Sequence, residues 1–222
     1  MVGTYSIDEI FELKKIETRY QRLFELAVPF LKTRFNLPHT YIVYQYAQLI
    51  LETEGGSREI IIPACILHDV GWSTVPEDQQ LRAFGPNIQN PEARRKHELE
   101  GASIARQILS QAGCNGSLVE KIVEIIDGHD TTPDARSLED AVTKDSDKLF
   151  RLSAYGYRLD CERFRVDPKE YWPYLLKRSR GWFLTPTGKE LAAHEARCRE
   201  QEFQERKEIP STPAVKGGLR GF

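Results

Sequence analysis

One stretch decides the fold: Ile60-Ile61-Ile62-Pro63-Ala64-Cys65-Ile66-Leu67-His68-Asp69-Val70-Gly71-Trp72. Its first eight residues are apolar with helical spacing, and Ser57 can cap the start of the predicted helix. The run ends in an adjacent histidine and aspartate, followed by a glycine that can close the helix. Taken alone, this His-Asp pair says little about function. It gains meaning from what recurs elsewhere in the chain.

Four of the five histidines lie on the apolar face of a predicted helix, and they occupy four successive helices: His39, His68, His97 and His129. One buried histidine is usually satisfied by the backbone, but four would each need a separate partner. Imidazole and carboxylate groups are the usual protein ligands of ions such as Zn, Mn and Fe. We therefore interpret the four histidines, together with Asp69 and one carboxylate of the later pair Asp145 and Asp147, as one metal site. His194 on the last predicted helix is interpreted as a surface or packing residue.

The whole chain reads as helices, without strand alternation or repeats, so the predicted class is all-α. The first predicted helical stretch begins with a capping box at Ser6 and ends near Phe35. It is one long helix or two joined ones, with Pro29 at the kink or joint. Further helices are predicted at residues 38–54, 57–71, 92–112, 117–129, 138–164 and 187–206. The polar loop at residues 73–91 is long enough to suggest a role in function. We expect residues 1–207 to form one domain and residues 208–222 to be a disordered tail.

Composition excludes several classes of protein. The chain has 222 residues, 40% of them hydrophobic, and a formal net charge of −2, which favours neither nucleic-acid polymers nor membrane surfaces. It lacks an apolar run of the roughly 20 residues that span a bilayer. The first nine residues lack the basic and apolar regions of a signal peptide. The four cysteines are scattered, with Cys65 expected to be buried, so we predict reduced thiols in a cytoplasmic protein.

The ordered set of these residues resembles the HD superfamily of metal-dependent phosphohydrolases. The resemblance covers residues 37–160, and its strongest elements are Leu67-His68-Asp69-Val70-Gly71 and Asp145-Ser146-Asp147-Lys148-Leu149. It implies a compact helical bundle with metals in its core and with additional N- and C-terminal helices. It also favours Asp147 over Asp145 as a ligand, whereas periodicity places Asp145 nearer the apolar stripe of its helix.

The resemblance further implies which residues bind metal. His97 and His129 resemble the additional ligands of binuclear members, so we expect two divalent ions, which could be Mn, Mg, Zn, Ni or Fe. The ligand sets implied are His39, His68, Asp69 and Asp147 for one ion, and Asp69, His97 and His129 for the other. His97-Glu98-Leu99-Glu100-Gly101 also resembles the His-x-x-x-Gly segment of small bacterial members.

Two such ions would bind a phosphoryl oxygen and lower the pKa of a bridging water. Asp69 would act by bridging the ions. Asp130 could orient that water or accept its proton, although a turn residue before Pro133 is the alternative. Basic residues close to the ligands are candidates for contact with the substrate phosphate. They are Lys148 and Arg151 after Asp147, and Arg94, Arg95 and Lys96 before His97, of which we select Lys148, Arg151 and Arg95.

Three functions remain open at this point. The first is hydrolysis of a small phosphorylated substrate, a phosphomonoester or a nucleotide. The second is a di-iron oxygenase of the same fold, because the ligands alone do not separate the two chemistries. The third is a non-catalytic, metal-binding regulatory module. The aromatic segment around Trp172 and Trp182 is interpreted as core or lid packing, and a homo-oligomer remains open.

Overall fold

The computed structural model describes residues 16–33 and 35–208. This part of the chain contains helices and no strands, so the all-α prediction is confirmed. The α-helices are α1 (Thr18–Ala27), α2 (Asn36–Glu54), α3 (Arg58–Leu67), α4 (Glu77–Gln80), α5 (Glu92–Gln111), α6 (Gly116–Ile126), α7 (Leu138–Leu152), α8 (Ala154–Phe164), α9 (Pro168–Ser179) and α10 (Pro186–Glu208). Two 3₁₀ helices, Val28–Phe30 and Val70–Thr74, follow α1 and α3.

Helix α3 lies at the centre of the bundle, packed against α1, α2, α6 and α7. Its aliphatic side chains are completely buried on all faces, which explains the continuous apolar run in the sequence. Each such side chain contributes about 1.5–3 kcal/mol on burial. The rigid centre thereby fixes the position of His68 and Asp69 at the end of α3.

The 3₁₀ helix Val70–Thr74 packs directly on α5, backbone against backbone. A Cβ atom on Gly71 would overlap the carbonyl oxygen of His97 and lie 2.5 Å from the amide nitrogen of Gly101. Only glycine allows this approach. The contact brings the end of α3 and the helix of His97 together, so that their functional side chains face a common space.

The prediction of a single helix at residues 138–164 is wrong, because the helix is interrupted at Ser153 between α7 and α8. Ser153 is extended, with ψ of 156°, and its side chain accepts a hydrogen bond from the amide of Gly156 to cap α8. The predicted loop at 73–91 contains the one-turn helix α4, and Pro29 lies in the 3₁₀ helix after α1. The capping box at Ser6 lies outside the described residues, as does all of the predicted tail except Glu208.

Among the described helices, none is both long and apolar enough to cross a membrane. All four cysteines lie in the described part of the chain and are free thiols. Cys65 is completely buried in α3, and burial raises the pKa of its thiol to about 12. It therefore packs as a small neutral group, as predicted.

Candidate metal centre

The six predicted ligands converge in the core of the bundle: His39 from α2, His68 and Asp69 from the end of α3, His97 from α5, His129 from the turn after α6, and Asp147 from α7. On one side of the cluster, Nε2 of His39 lies 2.9 Å from Nε2 of His68. Nε2 of His39 also lies 3.3 Å from Oδ2 of Asp69 and 3.3 Å from Oδ1 of Asp147. These atoms form one compact group of donors.

On the other side, Nε2 of His97 lies 3.4 Å from Nε2 of His129. Asp69 lies between the two sides, since its Oδ1 is 3.7 Å from Nε2 of His68 and 3.8 Å from Nε2 of both His97 and His129. Asp130 extends the second group, which comprises His97, His129 and Asp130. This position of Asp69 suits a carboxylate that bridges two ions.

The chemistry of the donors fits a divalent metal. Nδ1 of His68 donates to the carbonyl of Cys65 at 2.8 Å, and Nδ1 of His129 donates to the carbonyl of Ile126 at 2.9 Å. These carbonyls can only accept, so Nδ1 holds the proton of each neutral ring and Nε2 offers its lone pair to the site. Metal-binding histidines are typically oriented by such a hydrogen bond from the second nitrogen.

The charges of the cluster also favour a cation. Burial lowers the pKa of His129, but Asp69, Asp130 and Asp147 outweigh it and raise that pKa to about 9. The pKa of Asp147 lies well below its usual value, because Lys148, His39 and His68 overcome the effect of burial. Several ionised carboxylates therefore share one largely buried space, which a bound cation would stabilise.

Side chains around the donors hold them in position. The indole Nε1 of Trp72 donates to Oδ1 of Asp69 at 3.0 Å, and its ring stacks on His97 with centroids 4.0 Å apart. Glu98 is completely buried and accepts from the amides of Asp130 and Thr131, each at 2.8 Å. The sequence interpretation missed Glu98. An acidic residue directly after a predicted ligand was the available signal.

Asp130 faces the cluster instead of serving only a turn. Its Oδ1 accepts from Nζ of Lys148 at 2.8 Å and lies 3.4 Å from Nη2 of Arg94. Arg95 lies elsewhere, with a side chain that is 44% exposed and paired with Glu98 and Asp127. Of the basic residues predicted before His97, the structure therefore places Arg94 beside the cluster and Arg95 away from it. Neighbouring residues of a helix point about 100° apart, so only one of the two can face the site.

Asp145 has a different task from Asp147. It is completely buried and accepts from the amides of Leu184 and Thr185, each at 2.8 Å, and from the Thr185 hydroxyl at 2.7 Å. These bonds attach the segment before α10 to α7. Asp145 lies on the apolar stripe of α7 because its carboxylate binds the segment that precedes the C-terminal helix α10.

We expect Asp145→Ala to lower mainly the stability of the protein and Asp147→Ala to lower mainly its metal content. Loss of Asp145 leaves two buried amides without an acceptor and should destabilise the metal-free protein by about 3 kcal/mol. Loss of Asp147 removes one of several crowded carboxylates, so it should lower metal content more than stability. Urea unfolding of the metal-free variants and elemental analysis of the loaded ones would measure both effects. A stable Asp145→Ala protein that fails to bind metal would contradict this division.

The cluster opens into a cavity of about 280 Å³. Its wall includes six basic and four acidic side chains, together with aromatic rings from the 73–91 loop, α9 and the following turn. Arg151, the remaining predicted substrate contact, lies on this wall. Its Nη2 is 2.9 Å from Oδ2 of Asp160 and 3.2 Å from the hydroxyl of Tyr171.

Comparison with known proteins gives a family and a fold. The sequence model of the HD domain matches residues 37–152. The structure is similar to that of a predicted HD superfamily hydrolase from an uncultured Thermotogales bacterium, with a TM-score of 0.55 and 21% sequence identity. The similarity covers 85% of this chain and 91% of the other. Curated proteins provide no match.

Proposed function

The chain belongs to the HD domain family, and we propose that it is a metal-dependent hydrolase that releases phosphate from a small phosphomonoester. The donors of the cluster by themselves would suit several reactions. The observation that favours a phosphorylated substrate is the pair of cations, Lys148 and Arg94, on the cavity wall beside the donors. Cations in this position bind and neutralise phosphoryl oxygens.

Two divalent ions held by the cluster would supply Lewis acidity and a water of lowered pKa. Among the side chains of the protein, Lys148 is best placed to bind a phosphoryl oxygen of the substrate. Burial opposes its charge, but Asp130 and Asp147 raise its pKa, so the ammonium group remains protonated. Its Nζ donates to one oxygen of each carboxylate, at 2.8 and 2.9 Å. An ammonium group has three protons, so one remains for a phosphoryl oxygen.

Asp130 is suited to orient the attacking water. Burial raises the pKa of its carboxyl group, but Lys148, His129 and Arg94 hold that pKa well below its usual value. A carboxylate that stays ionised is a weak base and a good hydrogen-bond acceptor. We therefore assign Asp130 the role of accepting a hydrogen bond from the water and fixing its direction of attack.

Lys148→Met is expected to lower kcat about 100-fold, because one preorganised donor to the transition state is lost. The metal content should stay at the wild-type value, since an ammonium group is not a ligand. Lys121→Met, on the exposed face of α6, is the matched control and should behave as wild type. Steady-state turnover and elemental analysis test this prediction. Wild-type kcat in Lys148→Met would remove the residue from the mechanism.

The function itself is tested with protein purified without chelator or added metal. We expect bound divalent metal, release of phosphate from p-nitrophenyl phosphate, loss of turnover after chelation and recovery with Mn²⁺. Bound iron with oxygen consumption and no phosphate release would instead favour the oxygenase. Bound metal without turnover of any phosphomonoester tested would favour the regulatory module.

A further inference from the structure

The cavity continues beyond the metal cluster to a second group of basic side chains. This far basic cluster consists of Arg151 on α7, Arg163 on α8 and Arg178 on α9, all of which line the cavity. Arg151 follows Asp147 by one helical turn, so their Cβ atoms lie on the same face about 6 Å apart. The far basic cluster therefore shares the cavity with the candidate metal ligands.

Positive charge exceeds negative charge at this end. Nη2 of Arg151 pairs with Oδ2 of Asp160 at 2.9 Å, and Nε of Arg163 lies 3.5 Å from Oδ1 of the same carboxylate. Within the described residues, Arg178 has no ion pair. The ion pairs of these three guanidinium groups thus involve a single carboxylate, that of Asp160. Lys148 and Arg94 at the metal end, by contrast, already contact Asp130.

This excess charge is partly buried, which makes it costly without an anion. The side chain of Arg163 is only 12% exposed. Burial lowers its pKa and the nearby Arg151 lowers it further, against the opposite effect of Asp160. Nε of Arg151 is buried without a hydrogen-bond partner. An oxyanion placed here would accept from guanidinium donors and offset the repulsion between them.

Aromatic rings lie beside two members of the far basic cluster, Arg151 and Arg163. The guanidinium of Arg151 lies 6.0 Å from the ring centroid of Trp182, and that of Arg163 lies 6.0 Å from the ring centroid of Phe84. The hydroxyl of Tyr174 donates to the carbonyl of Gly85 at 3.3 Å and so connects α9 to the 73–91 loop. The donors of Arg151 and Arg163 are therefore positioned before any ligand binds, which reduces the entropic cost of binding.

We propose that the far basic cluster binds a second anionic group of the substrate, so that the substrate carries a phosphomonoester at one end and another oxyanion at the other. This inference rests on the proposed function, because it places the reacting phosphate at the metal cluster. Because Arg151 lies one helical turn from Asp147 and both line the same cavity, the chain that connects the two anionic groups must be short. The cavity of about 280 Å³ is close to the small end of ligand sites, which also favours a small substrate.

The test compares three probes on the manganese-loaded protein: propane-1,3-diol bisphosphate, 4-(phosphonooxy)butanoate and propyl phosphate. We expect kcat/KM for at least one of the two probes that carry a second anionic group to exceed that for propyl phosphate by about tenfold or more. The better of the two identifies the second group as phosphate or carboxylate. Arg163→Gln and Arg178→Gln should each reduce this preference about tenfold.

Arg106→Gln is the matched control, because Arg106 lies on α5 away from the cavity and pairs with Glu120. It should keep the wild-type preference. Arg163 contributes to the contacts of α8, so the exposed Arg178 decides the test if Arg163→Gln is poorly folded. Equal kcat/KM for all three probes, or an unchanged preference in Arg178→Gln, would overturn the proposal.

Calorimetric binding of the same probes separates this proposal from the hydrolase itself. If the protein binds a probe with a second anionic group more tightly than propyl phosphate but releases phosphate from none, the anion site at the far basic cluster is supported and the phosphohydrolase is rejected. If phosphate is released from all probes without preference in binding or turnover, the hydrolase is supported and the proposed anion site at the far basic cluster is rejected.

Discussion

Asp69→Ala is expected to remove bound metal and to reduce phosphate release by about 1,000-fold or more. Asp69 lies between the two histidine groups, with its Oδ1 within 3.8 Å of the Nε2 atoms of His68, His97 and His129. Its loss therefore weakens both candidate ion positions together, and with them the Lewis acidity of the site. Elemental analysis and turnover in excess Mn²⁺ would measure the effect.

A second variant separates charge from packing at this position. Asp69→Asn keeps a side-chain oxygen that can accept from the indole of Trp72 but removes the negative charge, so it should fold and still lose metal. His68→Ala should match Asp69→Ala in both measurements. Asp78→Ala, at an exposed site on α4, is the control. Wild-type metal content and turnover in both Asp69→Ala and His68→Ala would reject the assignment of the site.

Gly71→Ala is expected to lower the free energy of unfolding by about 3 kcal/mol, because the added methyl group has no space. It would overlap the carbonyl oxygen of His97 and press on the backbone of Gly101. The 3₁₀ helix and α5 would have to separate, which would move His97 away from His68. We therefore expect weaker metal binding in addition to lower stability, measured by urea unfolding and by metal titration.

Gly116→Ala is the matched control for this variant. Gly116 is the first residue of α6, and a Cβ atom there meets nothing within 4 Å. The same chemical change should leave stability unchanged or raise it by about 0.5 kcal/mol. Equal stability of Gly71→Ala and wild type would mean that the backbones of the two helices can separate freely.

Local patterns were sufficient for the features that depend on neighbours in the sequence. The apolar run before His68 predicts a buried helix, and α3 is buried on all faces. The recurrence of histidine on successive apolar stripes predicts convergence, and the four rings do meet in the core. Each of these inferences needs only helical periodicity and the cost of burying an imidazole.

Local patterns were insufficient where a distant partner decides the outcome. The apolar periodicity of residues 138–164 continues through Ser153, so it hid the break that separates α7 from α8. Arg94 and Arg95 are equivalent in sequence, and only the position of Asp130 selects Arg94. Periodicity drew attention to Asp145, whose acceptor role depends on amides about 40 residues further along the chain.

Most of the far wall of the cavity comes from a part of the chain that the HD domain match does not cover. The family match ends at residue 152, whereas Arg163, Arg178 and Trp182 all follow it. The candidate metal ligands and most of this wall are therefore encoded one after the other in the chain. A single recombination at Ser153 would exchange Arg163, Arg178 and Trp182 and leave Arg151 and every candidate metal ligand in place. A grafted segment would have to supply backbone donors for Asp145 and a carboxylate for Arg151, which are among the contacts that join the two parts.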